Sequence, residues 1–405
     1  MNILHCLAQL PTRTGSGVYF RNLVQEFSAF PEIKQAVLYA ESGQQPLDAF
    51  PELPRYPLRF DSPELPFPVP GMSDVMPYPS TVYSQMSRDQ IEAWHGAFAA
   101  KLQEAKASFQ PDLIIVHHLW FLARLVLEIF PDRPVYAISH GTDIRQAEKN
   151  PELARQYVGS LAGLAGVFAL SKLHRPELTE LFDLRPEQIR VTGGAYDHEI
   201  FYPPERHVEH TPYRFIYAGK LSAAKGCLEL VSAFSRLRDQ GHDARLKMIG
   251  NRSPEFTRFI EEKGRDLRGI VIHDVADQEA LAEEFREADS FVFPSYFEGL
   301  GLIALEALAS GLRLTVNRLP ALYEQLGSDI VDLAAIEWVE MPELVHQDEI
   351  LAEARADYIE RLEAAMLRQM TERPSTELSA RLIRRYDWPS LAQHIRSHLA
   401  LSRPV

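Results

Sequence analysis

Residues 3–8, 36–40, 113–118, 135–140, 167–171 and 189–192 are short, nearly continuous apolar runs, most of them separated by stretches with helical spacing. A strand buried on both faces reads as an unbroken hydrophobic run, whereas a strand with one wet face alternates. These runs therefore predict a parallel sheet covered by helices on both sides. The first run leads through a glycine-bearing turn into a helical pattern over 17–27. A second series of the same kind occupies 213–218, 245–249, 270–273, 291–293 and 313–316. The helix after its first strand is predicted over 227–240, with Gly241 as a left-handed stop. Two such series predict an α/β chain of two doubly wound domains, 1–205 and 206–380, divided at the proline-bearing, charged stretch around 201–210. Ligands of open α/β sheets lie outside the carboxyl ends of the strands, so the expected site is a central cleft faced by both sheets.

One region breaks the alternation. Residues 46–79 are dense in proline, which removes backbone donors and fixes φ, and the segment is read as a long loop without helix or central strand. The interspersed Phe60, Phe67, Met72, Met76 and Tyr78 favour a loop that packs against something, and an acceptor-side flap is the expectation.

Composition narrows the function classes. The chain has 405 residues, 46% of them hydrophobic, enough for two substantial cores. Its net charge of −14, without a dense basic run, argues against nucleic acid or an anionic membrane as the main partner. Acidic stretches at 277–289 and 337–364 are read as solvated helix faces. Cys6 and Cys227 lie in different halves, each inside a predicted element, which speaks against a disulfide framework or a zinc site. The N-terminal sequence lacks a basic leader, and no run reaches the roughly 18 apolar residues of a membrane span. A cytoplasmic location without stable membrane insertion is expected.

The strongest chemical signal is the segment 293–311. A buried strand ends at Pro294, a loop carries Glu298, Gly299, Leu300 and Gly301, and a helix begins near Leu302 with Glu306 among leucines and alanines. Glycines let backbone amides approach a ligand, and a helix N-terminus favours anions. Two carboxylates in the same segment fit a ligand that offers a diphosphate to the amides and sugar hydroxyls to the carboxylates. The plainer reading is a helix cap with an exposed glutamate, but a carboxylate in so apolar a helix needs a partner. The second signal is 217–226, where a strand enters a loop with Lys220, Lys225, Gly219 and Gly226 immediately before a helix. Surface lysine pairs are common. This pair stands at the end of the first strand of the second half, where cations and a helix N-terminus make a diphosphate cradle.

These residues resemble the retaining GT-B glycosyltransferases of family 4 (glycosyl transferases group 1), whose hallmark is Glu-x7-Glu around an EGFGL-like core. Here the element is Glu298-x7-Glu306 with EGLGL, Leu300 replacing the commoner phenylalanine. The resemblance implies the GT-B fold, with two Rossmann-like doubly wound domains facing a central cleft. It assigns Glu298, with Gly299 and Leu300, to the donor sugar, and Glu306 to the nucleotide ribose. Leu300 and Gly301, with Lys220 and Lys225, fall to the donor diphosphate. The lysine loop is similar to the family's GR-x4-KG, with Lys220 in place of arginine, which keeps the charge and gives up the bidentate fork. Stabilising the departing diphosphate is its implied task, which makes Lys225 catalytic together with Glu298 and His140.

Weaker matches extend the resemblance. His140-Gly141-Thr142-Asp143 ends a predicted strand. A histidine there is more often structural, but the family places one near the donor sugar, and HGTD is similar to the N-acetylglucosaminyl-malate synthases of bacillithiol biosynthesis. The resemblance gives His140 the sugar and leaves Asp143 either to orient it or to meet the acceptor. Thr12–Val18 lacks the third glycine of a dinucleotide fingerprint, which excludes a nicotinamide site on that loop. In the family an equivalent loop approaches phosphate and acceptor, so Gly17 is carried to the diphosphate and Arg13 to the acceptor. At 194–203, Gly194 and Ala195 occupy positions usually held by Asn and Gly, and at 272–275 Val275 falls on the nucleobase contact. The tail 381–405 is similar to the family's helix that crosses back to the first domain, and no match assigns a role to 336–375.

The implied activity is metal-independent, cofactor-free and retaining transfer of a hexose or N-acetylhexosamine. Its donor is a nucleotide-diphosphate sugar, UDP-linked by family frequency, and its acceptor a small soluble molecule. A homodimer is left open. A non-catalytic nucleotide-sugar binder and a sugar phosphorylase on the same scaffold are the rivals.

Overall fold

The computed structural model describes residues 1–43, 49–206, 208–346 and 348–399, without the side chains of Arg265 and Asp266. The chain packs into two compact units, one formed by Met1–Gly193 with the segment from Leu391 onward, the other by Gly194–Ser390.

The first unit contains β1 (Asn2–Leu7), β2 (Lys34–Ser42), β3 (Arg55–Phe60), β4 (Pro70–Gly71), β5 (Thr81–Val82), β6 (Leu113–His117), β7 (Val135–Ser139), β8 (Gly166–Ala169) and β9 (Ile189–Val191). Seven of them form a sheet in the order β3-β2-β1-β6-β7-β8-β9, parallel throughout. The central strands β6, β7 and β8 are buried at every position, as their unbroken apolar runs predicted. Helices cover them, among them Gly15–Phe27 and Arg88–Ser108, the latter with a Ser87/Gln90 capping box and a face of Ile91, Trp94, Phe98 and Leu102 turned to the core.

The proline-dense segment departs from its expected form, although Pro46 and its neighbours through Asp48 lie outside the described residues. Residues Arg55–Phe60 are a strand, with Pro57 opposite Tyr39. The strand stands at the sheet edge, with one neighbour, and an edge strand tolerates a proline whose nitrogen faces away from the ladder. Farther on, β4 pairs β5, and Phe60, Phe67, Met72 and Tyr78 are buried in the first unit's core. The side chains that favoured packing do pack, and they anchor the segment along much of its length.

The second unit has β10 (Tyr213–Ala218), β11 (Ala244–Ile249), β12 (Ile270–His273), β13 (Ser290–Phe293), β14 (Arg313–Asn317) and β15 (Ile336–Val339) in one parallel sheet of order β12-β11-β10-β13-β14-β15, with a small antiparallel pair, β16 (Leu344–His346) and β17 (Glu349–Ile350). The helix Cys227–Asp239 ends as predicted, Gly241 taking φ +89°. The acidic stretch 337–364 is not one helix face: strand and hairpin occupy its first part, and the helix Arg355–Glu372 starts only later. The stretch near 201–210 lies inside the second unit. Phe201 is 1% exposed and its ring lies 6.0 Å from that of Phe285, while His210 Nδ1 lies 3.0 Å from the buried Asp289 carboxylate. Between those two anchors, residues 202–206 and 208–209 form no helix or strand and are mostly exposed, as the prolines and charges suggested. No helix among the described residues is long and apolar enough to cross a membrane.

Candidate functional site

Both sheets reverse their winding once. In the second unit the chain runs outward from β10 through β12 and then returns to start β13 beside β10. The loops leaving two strands at such a switch diverge to opposite faces and leave room for a ligand at their carboxyl ends. The loop after β10 carries Lys220 and Lys225, and the loop after β13 carries Glu298, Gly299, Leu300 and Gly301. The two strongest sequence signals, 73 residues apart at Lys225 and Glu298, thus emerge side by side.

Gly226 makes their approach possible. It has φ +65°, and a Cβ there would lie 2.2 Å from the Pro294 carbonyl oxygen, so only glycine lets the lysine loop lie against the glutamate loop. Lys225 Nζ then donates to Glu298 Oε1 at 2.6 Å and to the Phe297 carbonyl at 2.9 Å. Both side chains stay partly accessible, at 28% and 22%, so the pair is desolvated enough to matter and open enough to meet a ligand. Lys220 is exposed and forms no ion pair among the described residues. Gly299 is exposed, Leu300 half-buried and Gly301 buried with φ +66°. The helix Leu302–Ala309 that Gly301 opens has no side-chain cap, leaving its first amides for an anion. Leu300 and Leu302 also explain the departure at 194: a Cβ on Gly194 would lie 2.6 Å from Leu302 Cδ2 and 2.9 Å from Leu300 Cδ1.

Glu306 lies in that helix with no hydrogen-bond partner for its carboxylate among the described residues, and burial pushes its carboxyl up to about 7. Val275 is half-buried two residues past β12, the edge strand two places from β10, and packs on the unit's core.

In the first unit the switch lies between β1 and β6, and β7 is next in the sheet. The end of β7 presents His140, whose Nε2 lies 3.2 Å from His117 Nδ1 at the end of β6. Tyr19 meets the His140 ring edge-on at 5.2 Å, and the His118 ring is 4.7 Å away. Burial, reinforced by His118, holds His140 well below the ordinary histidine range, so it is a neutral hydrogen-bonding group at pH 7. His118 Nε2 donates to Gln9 Oε1 at 3.1 Å, an oxygen that also accepts from Ser16 Oγ. This cluster was missed in the sequence. Its signal was the adjacent His117-His118 pair closing an apolar strand.

Two residues of this unit are engaged in local bonds. Asp143 is fully buried. Its Oδ2 accepts from the Leu119 amide at 3.1 Å and its Oδ1 from Ser139 Oγ at 3.0 Å, so it braces the strand end behind His140 and has no face for an acceptor. Gly17 is buried too, and its amide donates to Thr14 Oγ1, the helix N-cap, at 3.0 Å. Its need for glycine is steric, since a Cβ would lie 2.5 Å from the Leu10 carbonyl oxygen, and the amide is already used. Arg13 is exposed on the loop after β1 with φ +63°.

Residues 212–366 match the family described as Glycosyl transferases group 1. The chain is also similar, at 26% identity over 262 residues, to a glycogen synthase of Mycobacterium tuberculosis, covering 61% of this chain and 63% of the synthase, so it spans less than two thirds of that relative's length. Among solved structures, a sucrose-phosphate synthase from Thermosynechococcus elongatus superposes with TM-score 0.66 at 16% identity over 98% of both chains. One described as "Trehalose-6-phosphate from E. coli bound with UDP-2-fluoro glucose" gives 0.64 at 14% identity over 100% of both. These likenesses show the fold, that of the GT-B glycosyltransferases.

Proposed function

We propose that the chain is a retaining glycosyltransferase that moves a hexose or N-acetylhexosamine from a UDP-linked donor to a small soluble acceptor, without a metal. The observation that carries this reading is the Lys225–Glu298 pair across the two loops of the second unit's switch point, ahead of the uncapped helix that bears Glu306. A diphosphate needs cations and free amides, a pyranose needs carboxylate acceptors, and a ribose diol suits the unpartnered Glu306. The family match to this unit and the relatives' names support the class. The trehalose-6-phosphate structure, bound with UDP-2-fluoro glucose, supports the donor.

In this reading Lys225 leaves Glu298 to meet the leaving diphosphate, and Lys220 and the amides of Leu300 and Gly301 share the developing charge. The freed Glu298, with Gly299, binds sugar hydroxyls. For the first unit, taken by itself, the reading keeps His140 as a neutral hydrogen-bonding group for a sugar and Arg13 as the acceptor candidate. The bond from the anomeric carbon to the diphosphate oxygen breaks as the acceptor oxygen attacks the same face. The acceptor's proton passes to the leaving phosphate, giving a glycoside and a nucleoside diphosphate. In this reading Val275 is the nucleobase contact.

A thermal-shift panel of nucleoside diphosphates and their sugars, with and without magnesium, tests the donor assignment, because a ligand bound only by the folded state raises Tm. A rise with UDP and one UDP-sugar, equal in EDTA, is expected. Absence of any nucleotide response would overturn the reading.

A further inference from the structure

The segment that carries Glu298 is gripped from behind by two side chains in stretches to which no motif assigns a role. Asn317, the last residue of β14, is fully buried, and its Nδ2 donates to the Pro294 carbonyl at 2.9 Å and the Ser295 carbonyl at 3.1 Å. Its Oδ1 accepts from the Tyr358 hydroxyl at 2.8 Å. Tyr358 is also fully buried, on the helix Arg355–Glu372, with its ring 5.8 Å from that of Tyr296. The same helix is tied to the one following Lys225, since Arg355 Nε lies 3.1 Å from the carboxylate of Glu229, itself 1% exposed.

The chemistry of the grip is specific. Two carbonyls on one side and one hydroxyl on the other require two N–H donors and one acceptor in a single short side chain, and asparagine alone supplies them. All partners are buried, so none can turn to water if one bond is lost. The Pro294 carbonyl is also the atom against which Gly226 lies, so a single peptide group is fixed by Asn317 on one side and borders the lysine loop on the other. Glu298 lies four residues beyond it.

We propose that Asn317 and Tyr358 are positioning residues that hold the glutamate loop against Lys225, and so set the affinity for the donor. The proposal rests on the donor assignment made above. Substrate does not touch either residue. They act through the backbone of 294–298, Tyr358 both through Asn317 and through its own hydroxyl, which lies 3.3 Å from the Pro294 carbonyl oxygen.

The test compares Asn317→Asp and Tyr358→Phe with the wild-type full chain. Hydrogen–deuterium exchange over 294–301 reads the grip directly in the unliganded protein. Donor KM and kcat read its consequence. An ionised carboxylate at 317 would face two carbonyl oxygens with no donor, so exchange of 294–301 is expected to accelerate about tenfold at pH 8 and donor KM to rise about tenfold. The kcat should change less. Both defects should shrink as the pH falls toward 5, because a protonated carboxyl regains one O–H donor. Tyr358→Phe keeps the ring and loses the hydroxyl that Asn317 and Pro294 share, so about a threefold effect on each is expected. A merely structural role would lower Tm and leave the KM and its pH dependence unchanged. Wild-type exchange at 294–301 and wild-type donor KM in both variants would overturn the proposal. Because exchange needs no substrate, a wild type inert toward every nucleotide sugar would sink the transferase reading and still leave the grip to be decided by exchange.

Discussion

The two switch points use opposite electrostatics. In the second unit the loop ends carry a partly exposed lysine–glutamate pair, an exposed lysine, an uncapped helix start and an unpartnered carboxyl. In the first unit the strand ends carry imidazoles that burial keeps neutral, a carboxylate whose two oxygens are committed to local donors, and a helix start already capped by Thr14. The same sheet topology therefore offers an anion-ready surface in one unit and a neutral hydrogen-bonding surface in the other. Topology sets where a ligand can sit, and the residues at the loop ends decide its charge.

This contrast can be broken by experiment. Lys225→Ala should have the largest effect, cutting turnover about 10²- to 10³-fold, in the range lost when one stabiliser of transition-state charge is removed. Circular dichroism should be unchanged, because the lysine pair is partly solvated. Wild-type turnover would remove Lys225 from the diphosphate site. In the first unit, His140→Ala should lower kcat about 10- to 100-fold while leaving UDP affinity in calorimetry as it was. Because His140 is held neutral, the wild-type rate should show no histidine limb near pH 6.5. Such a limb, abolished by His140→Gln, would contradict the neutral assignment.

Glu306→Gln should weaken UDP binding about tenfold, one good hydrogen bond's worth. It also carries a pH signature. The folded carboxyl titrates at about 7, against 4.5 without the burial, so between those values the folded state keeps a proton that the unfolded state has lost. Its contribution to stability is fully present below the lower value, falls as the pH rises through the window and is level above it. Denaturant titrations from pH 4 to 8 should show that decline in the wild type and its removal in the variant. The smallest functional effect is expected from Asp143→Asn, which should cost about 1–3 kcal/mol of stability through the Leu119 amide and Ser139 hydroxyl, with acceptor KM unchanged. A raised KM would restore Asp143 to the acceptor site.

Much of this was legible because it is local. Unbroken apolar runs mark strands buried on both faces, so the cores of both sheets and the alternation could be read directly, as could the stop at Gly241. Glu298, Glu306 and Lys225 could be singled out because glycines and charges at fixed offsets from a strand end carry their own meaning. The edge strand Arg55–Phe60 was not legible, because Pro57 is forbidden in a central strand and harmless at an edge, and position in the sheet is not a local property. The stretch after Phe201 is exposed and without helix or strand, as its prolines and charges suggested, and what was not legible is its place inside the second unit.

By itself the sequence determined the α/β class, most of the central strands of both sheets and the chemical types available at each loop. Only the tertiary structure decided which of those groups are free. It paired Lys225 with Glu298, committed Asp143 and the Gly17 amide to local bonds, desolvated Glu306 and His140, and brought Asn317 and Tyr358 against backbone carbonyls more than twenty residues from either. The reason is physical: a side chain's type is written in one position, whereas its solvation and partners come from segments that meet only when the chain has folded.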